Sequence, residues 1–126
     1  RWFEGDPCYV FHVLNAWEAP GSEGEAILAD VMQSAAAPLF PRADDPSAPP
    51  ADSPARLHRW RFDLAAPSNS FTATPLDDLA GEFPRLDERF AGLPNRVGFF
   101  AAATRRNPGD AFDSIVRIEP GAGRRA

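Results

Sequence analysis

The run YVFHVLNAW, residues 9–17, is rich in β-branched and aromatic side chains. Such a composition is typical of a β-strand. The residues that follow, EAPGSEG, carry the glycine, proline and serine of a turn, and EAILADVM comes next as a second extended run. This stretch predicts a β-hairpin with a longer loop.

The rest of the chain continues the same pattern. HRWRFDL, residues 58–64, alternates, with His58, Trp60, Phe62 and Leu64 facing one way and Arg59, Arg61 and Asp63 facing the other. SFTAT, residues 70–74, predicts its partner strand, and RVGFFAAAT, residues 96–104, is expected to pair with SIVRIEP, residues 114–120. LDDLAGEF, residues 76–83, could form one helical turn at most. We therefore expect an all-β chain of antiparallel hairpins.

The spacing of the hairpins predicts how they are organised. They recur about every 40 residues, which favours β-propeller blades of roughly 40–50 residues and gives about three blades over residues 1–126. Propellers close with four to eight blades, so these residues would form an incomplete arc. A small sandwich or barrel is the alternative. Residues 34–56 contain six prolines and are predicted to be a surface loop within this single domain.

Composition excludes several functions. The net charge of −5 argues against nucleic acid as a partner, because phosphate binding needs a basic patch. No stretch approaches the roughly 20 apolar residues of a membrane-spanning helix. The single cysteine, Cys8, fits a reducing compartment and predicts a cytoplasmic protein. AAAPLF, residues 35–40, is apolar enough to contact a membrane surface, although packing on its own blade is the preferred interpretation.

His12 is the unusual residue of the first strand. Val10, His12 and Leu14 are expected on one face, with Tyr9, Phe11 and Val13 on the other. Apolar neighbours on both faces predict a buried strand, in which the imidazole needs a hydrogen-bond partner. Spacing alone favours a core histidine bonded to a backbone carbonyl. Metal ligation is the alternative, because a neutral imidazole on a rigid strand suits iron, zinc or copper.

Two separated motifs resemble one family. FHVLNAWE, residues 11–18, resembles the Phe-His-x-x-Asn-Ala-aromatic-Glu segment of the carotenoid oxygenases, also called carotenoid cleavage dioxygenases. EFPRLDER, residues 82–89, and the GLPNRVGFFAA that follows are similar to that family's Glu-Phe-Pro-Arg segment and next strand. LHRWRFDLA, residues 57–65, resembles the strand before it. Trp17 and Val97 depart mildly from the residues usual at those positions.

The resemblance implies a fold and a chemistry. Members are seven-bladed β-propellers with a non-haem Fe(II) on the axis, held by four histidines whose rings hydrogen-bond to three glutamates. By this resemblance His12 is one iron ligand and Glu82 is one of the glutamates behind the ligands. The implied reaction is cleavage by O2 of a carbon–carbon double bond in a carotenoid, apocarotenoid or stilbene. No protein acid or base is expected, since the metal performs the difficult step.

The histidine count limits the expectation. The chain has two histidines, and His58 matches no ligand motif, so we expect it in the core or an interface. Because the chain also opens on Arg1 and one imidazole cannot hold iron, we expect a segment of a longer parent, inactive by itself, whose remaining blades are its partners. Two alternatives remain: a non-enzymatic propeller or sandwich binding module with a structural His12, and a complete small β domain. Asn15 is expected to hydrogen-bond to a turn or to backbone.

Overall fold

The fold consists almost entirely of antiparallel β-strands. The computed structural model describes residues 1–20, 25–37, 44, 53–104, 112–121 and 124–125. Its strands are β1 (Tyr9–Pro20), β2 (Glu25–Ser34), β3 (Arg56–Asp63), β4 (Thr72–Pro75), β5 (Gly81–Leu86), β6 (Gly98–Ala102), β7 (Ser114–Glu119) and β8 (Arg124–Arg125). A single 3₁₀ turn, Glu88–Phe90, is the only helix among the described residues. The predicted all-β class and the predicted hairpins are confirmed.

The strands form two successive four-stranded meanders. One sheet has the order β1-β2-β3-β4 and the other β5-β6-β7-β8, with every neighbouring pair antiparallel. Four-stranded sheets that follow one another along the chain are the arrangement of propeller blades. The described residues therefore make two blades, and the estimate of about three was too high. The 40-residue spacing misled because the segment between β2 and β3 lengthens the first blade.

Strand β5 was not predicted. Its first residues belong to a stretch expected to form one helical turn at most, and Pro84 in its middle lacks the N–H that a regular ladder needs. The structure accommodates Pro84 by a register shift between Glu82 and Arg85, where β5 has one more residue than β6. The residues predicted as a proline-rich loop run from the end of β2 at Ser34 to the start of β3 at Arg56, and 38–43 and 45–52 lie outside the described residues.

The core lies between the two sheets. It consists of Leu14, Met32, Ala55, Leu57, Phe100, Ala102, Val116 and Ile118. Two glycines permit this close packing. A Cβ on Gly98 would lie 2.9 Å from Leu14 Cδ2, and one on Gly81 would lie 2.5 Å from Phe100 Cδ2. Glycine at position 98 lets Leu14 of β1 pack against the second blade, and glycine at position 81 makes room for Phe100 of the neighbouring strand β6.

The two faces of β3 differ as the alternation predicted. Trp60 and Phe62 pack with Phe71, their ring centroids lying 4.9 Å and 5.0 Å from that of Phe71. Arg59, on the other face, is paired with the buried Asp30 of β2. Within the described ranges, no helix is long and apolar enough to cross a membrane.

Candidate active site

The first strands of the two blades bring His12 and Glu82 together. His12 lies on β1 and Glu82 on β5, and 70 positions separate them along the chain. His12 Nδ1 lies 2.8 Å from Glu82 Oε2. The histidine therefore bonds to a carboxylate, and the backbone carbonyl favoured by spacing alone is not its partner.

The hydrogen bonds at Glu82 indicate which ring nitrogen of His12 carries the proton. Glu82 Oε2 also accepts a hydrogen bond of 2.9 Å from the backbone N–H of Phe83. Because Oε2 is the acceptor in that bond, the most consistent assignment makes it the acceptor for His12 as well, with the proton on Nδ1. This tautomer leaves the lone pair on Nε2 as the one that can bind a metal.

Both strands are irregular where they carry these residues. In β1 the register with β2 shifts between Val10 and Val13 and again between Val13 and Asn15, and His12 lies within the first shift. In β5 the shift begins at Glu82, and Phe83 has a φ of 56°, in the left-handed region that non-glycine residues seldom adopt. Bulges of this kind redirect side chains next to functional sites. Here they direct the two side chains at each other across the space between the blades.

The imidazole borders an apolar cavity of about 470 Å³. This volume lies in the range of small-molecule sites. Phe11, Phe83 and Phe112 line it together with His12 and Glu82. The Phe83 ring centroid lies 5.3 Å from that of His12 and 5.5 Å from that of Phe112. The cavity has room for an apolar molecule beside one imidazole.

The exposure of β1 differs from the expectation. The strand was predicted to be buried on both faces, but Phe11 is 38% exposed and Val13 is 54% exposed. The His12 side chain is 41% exposed, whereas that of Glu82 is only 13% exposed. His12 therefore has one ring nitrogen held inside the protein and presents the rest of the ring toward the cavity.

The structure also places four other residues that the sequence motifs contain. His58 lies on β3 and its Nδ1 is 3.0 Å from the carbonyl of Arg56. Phe11 and Phe83 were quoted only as parts of motifs, and their position beside His12 was missed. The available signal was an aromatic residue adjacent in sequence to each motif residue. Asn15 binds the backbone of a turn, as expected.

The donor set fits one part of an iron site. The described residues contain no group of three or more histidine, cysteine, aspartate or glutamate side chains that could hold a metal. His12 has the form of a single ligand, with a carboxylate fixing its tautomer. Glu82 Oε1 is buried and has no hydrogen-bond partner among the described residues. These observations fit a site to which this chain supplies one imidazole.

Comparisons with known proteins agree with this arrangement. The family model described as retinal pigment epithelial membrane protein matches residues 1–126. Isoeugenol monooxygenase from Pseudomonas nitroreducens is 38% identical over 109 residues, covering 86% of this chain and 22% of that protein. Carotenoid cleavage oxygenase from Mycobacterium tuberculosis is 38% identical over 99 residues, covering 79% and 19%. The crystal structure of lignostilbene dioxygenase from Pseudomonas brassicacearum matches with a TM-score of 0.78 and 28% identity, over 94% of this chain and 26% of that one.

The fold and the site together define a class, a β-propeller protein in which a histidine paired with a glutamate faces an apolar cavity. Within that class, the chain belongs to the carotenoid oxygenase family, the family of retinal pigment epithelial membrane protein. The resemblance found in the sequence is confirmed. The chain spans about a fifth of the length of the curated relatives it matches.

Proposed function

We propose that this chain is part of a non-haem Fe(II) dioxygenase that cleaves a carbon–carbon double bond of a carotenoid, apocarotenoid or stilbene with O2. The observation that carries the proposal is the hydrogen bond of 2.8 Å between His12 and Glu82 at the border of an apolar cavity. Relatives named for cleavage of carotenoids and of lignostilbene support this substrate class.

In this proposal His12 supplies one of four imidazole ligands through Nε2. Three more histidines would come from blades outside this chain, as the family resemblance implies. When bound, iron would supply the reactivity toward O2 that protein side chains lack. Four neutral imidazoles leave the metal with its full 2+ charge, unlike a site in which a carboxylate is itself a ligand.

The residues of this chain act on the ligand and on the substrate. Glu82 accepts a hydrogen bond from the Nδ1–H of His12, which holds the ring in one orientation and raises its basicity. Phe11 and Phe83 border the cavity, bind the apolar substrate and exclude water from the double bond. No proton donor or acceptor is assigned to the cleavage.

A cytoplasmic location, with contact to a membrane surface from which an apolar substrate is drawn, belongs to the same proposal. Its support is the single cysteine, Cys8, which fits a reducing compartment. Of the AAAPLF segment that prompted the membrane contact, residues 38–40 lie outside the described residues.

The test is iron content in the full-length protein that carries this chain. We expect His12→Ala to abolish stoichiometric Fe(II) binding and cleavage of a stilbene or apocarotenoid. His58→Ala is the matched control and should keep both, because that ring bonds to the Arg56 carbonyl within its own strand. Glu82→Gln should lower iron affinity about 10- to 100-fold. Normal iron content in His12→Ala would refute the proposal.

A further inference from the structure

Asn15 connects the two blades close to His12. It lies on β1, is only 6% exposed, and makes four contacts with the turn that joins β5 to β6. Its Nδ2 donates to Leu93 O at 2.8 Å, to Asn95 Oδ1 at 2.8 Å and to Phe90 O at 3.2 Å. Its Oδ1 accepts from the N–H of Gly92 at 3.1 Å. One side chain therefore hydrogen-bonds to four polar groups of this turn.

The contacts allow only one orientation of the amide. Rotating it by 180° would place Nδ2 against the Gly92 N–H and Oδ1 against three acceptors. An aspartate would meet the same three acceptors with a carboxylate, which cannot donate. The two hydrogens on Nδ2 serve three acceptors, so one is shared, and the longest contact, to Phe90 O, is the natural candidate. The position therefore requires an amide specifically.

The consequence concerns the geometry of the site. The first blade carries His12 and Asn15 on one strand, and the second carries Glu82 and the turn at Phe90–Asn95 on one continuous segment. Two sets of hydrogen bonds therefore join the two segments, the His12–Glu82 bond and the contacts of Asn15, in addition to the packing of Leu14 in the core. Unlike apolar packing, these bonds are directional, so the contacts of Asn15 restrict how β1 is oriented against β5.

We propose that Asn15 is a positioning residue that holds the His12 imidazole in register with Glu82. This inference rests on the proposed function, since it concerns the metal site to which His12 belongs. Asn15 contacts neither the cavity nor the imidazole and acts only through the turn and strand β1.

The experiment measures Fe(II) affinity by anaerobic chelator competition in the full-length protein. We expect Asn15→Ala and Asn15→Asp each to weaken iron binding about 10-fold, at the lower end of the effect of losing a direct partner of a ligand. Asn95→Ala removes one of the four contacts and should lower iron affinity by a smaller factor. It tests the same role if either Asn15 variant fails to fold. Hydrogen exchange of residues 87–96 should be faster in all three.

Two controls separate the inference from simpler explanations. Val116→Ala lowers stability through the core between the sheets, away from this turn, and should leave iron affinity unchanged. The positioning role would be overturned if Val116→Ala lost as much Fe(II) affinity as the Asn15 variants. It would also be overturned if Asn15→Asp bound Fe(II) as tightly as the unsubstituted protein. His12→Ala is measured alongside them. If it loses iron while the Asn15 variants bind normally, the positioning role alone fails; if it keeps iron, the proposed function fails as well.

Discussion

Asp30 is a carboxylate that the first blade buries completely, and Arg59 makes its burial possible. Arg59 Nε and Nη2 donate to the two carboxylate oxygens at 2.8 and 2.9 Å, and its guanidinium carbon lies 5.0 Å from the Trp17 ring centroid. Burial raises the pKa of Asp30, and the hydrogen bonds and charge of Arg59 offset part of that rise. The pair lies across β2 and β3, behind the strand that carries His12.

Replacing Arg59 alone should therefore be costly. Arg59→Met leaves the buried carboxylate of Asp30 without its partner, and we expect a loss of about 3–5 kcal/mol in the free energy of unfolding at neutral pH. Thermal unfolding of the full-length protein measures it. Arg61→Met is the matched control on the same strand, because Arg61 pairs with the more exposed Asp63 and should change stability by less than about 1 kcal/mol.

The pH dependence of this variant follows from the raised pKa. Folded Asp30 binds its proton more tightly than the unfolded chain does, so its contribution to stability is full below the ordinary pKa near ~4 and is lost as pH rises through the folded pKa. Without Arg59 the folded pKa rises further. The deficit of Arg59→Met should grow as pH rises above the folded pKa of Asp30 in the natural protein, and level off above the higher folded pKa of the variant; a deficit independent of pH would contradict this assignment.

At the scale of elements, the bulges in β1 and β5 place the site. Each of these first strands has extra residues opposite its partner, at His12 in one and at Phe83 and Pro84 in the other. The left-handed backbone of Phe83 turns its N–H onto Glu82 Oε2, the oxygen that also accepts from His12. A regular β5 would not give this carboxylate its second donor. The strained backbone therefore contributes to the geometry of the His12–Glu82 pair.

Substitutions at Phe83 separate its backbone from its ring. Phe83→Ala removes the ring and keeps the left-handed strain, whereas Phe83→Gly removes both. We expect the glycine variant to be more stable than the alanine variant by about 1 kcal/mol in thermal unfolding. Both should keep the iron bound and raise the KM for an apolar substrate, since the ring lines the cavity. Equal stability of the two variants would argue against strain at this position.

At the scale of the whole molecule, two blades leave much apolar surface uncovered. Val13, Phe83, Phe99 and Ile115 are 54%, 51%, 41% and 81% exposed. Monomeric proteins seldom expose this many large apolar side chains on adjoining sheets. In a closed propeller such faces are covered by neighbouring blades, so the exposure agrees with a chain that spans about a fifth of its relatives.

The 126-residue chain expressed alone should show the effects of its uncovered surface and of its incomplete metal site. We expect it to self-associate through its uncovered sheet faces and edges, which light scattering during size-exclusion chromatography would detect. It should also bind no stoichiometric iron, because one imidazole is too weak a site. A monodisperse monomer that unfolds cooperatively would instead favour a complete small β domain. Tight binding of one iron per chain would contradict the proposal that the site needs further blades.

Much of this protein follows from its sequence. Alternation and turn residues are local properties, so they identified the β1–β2 and β3–β4 hairpins and the pairing of β6 with β7. The motifs FHVLNAWE and EFPRLDER identified the family and singled out His12 and Glu82. The predictions of the hairpins and of the family succeeded because neighbouring residues determine strand propensity and because the motifs are short and contiguous.

Only the tertiary structure decided the rest. Strand β5 depends on a bulge that tolerates Pro84, and the number of blades depends on which strands pair within one sheet. The 2.8 Å contact of His12 with Glu82 and the binding of Asn15 to a turn of the other blade join residues 70 to 80 positions apart. The periodicity of the sequence does not predict such contacts, because they arise from the packing of one sheet against another and from bulges that interrupt the alternation of the strands.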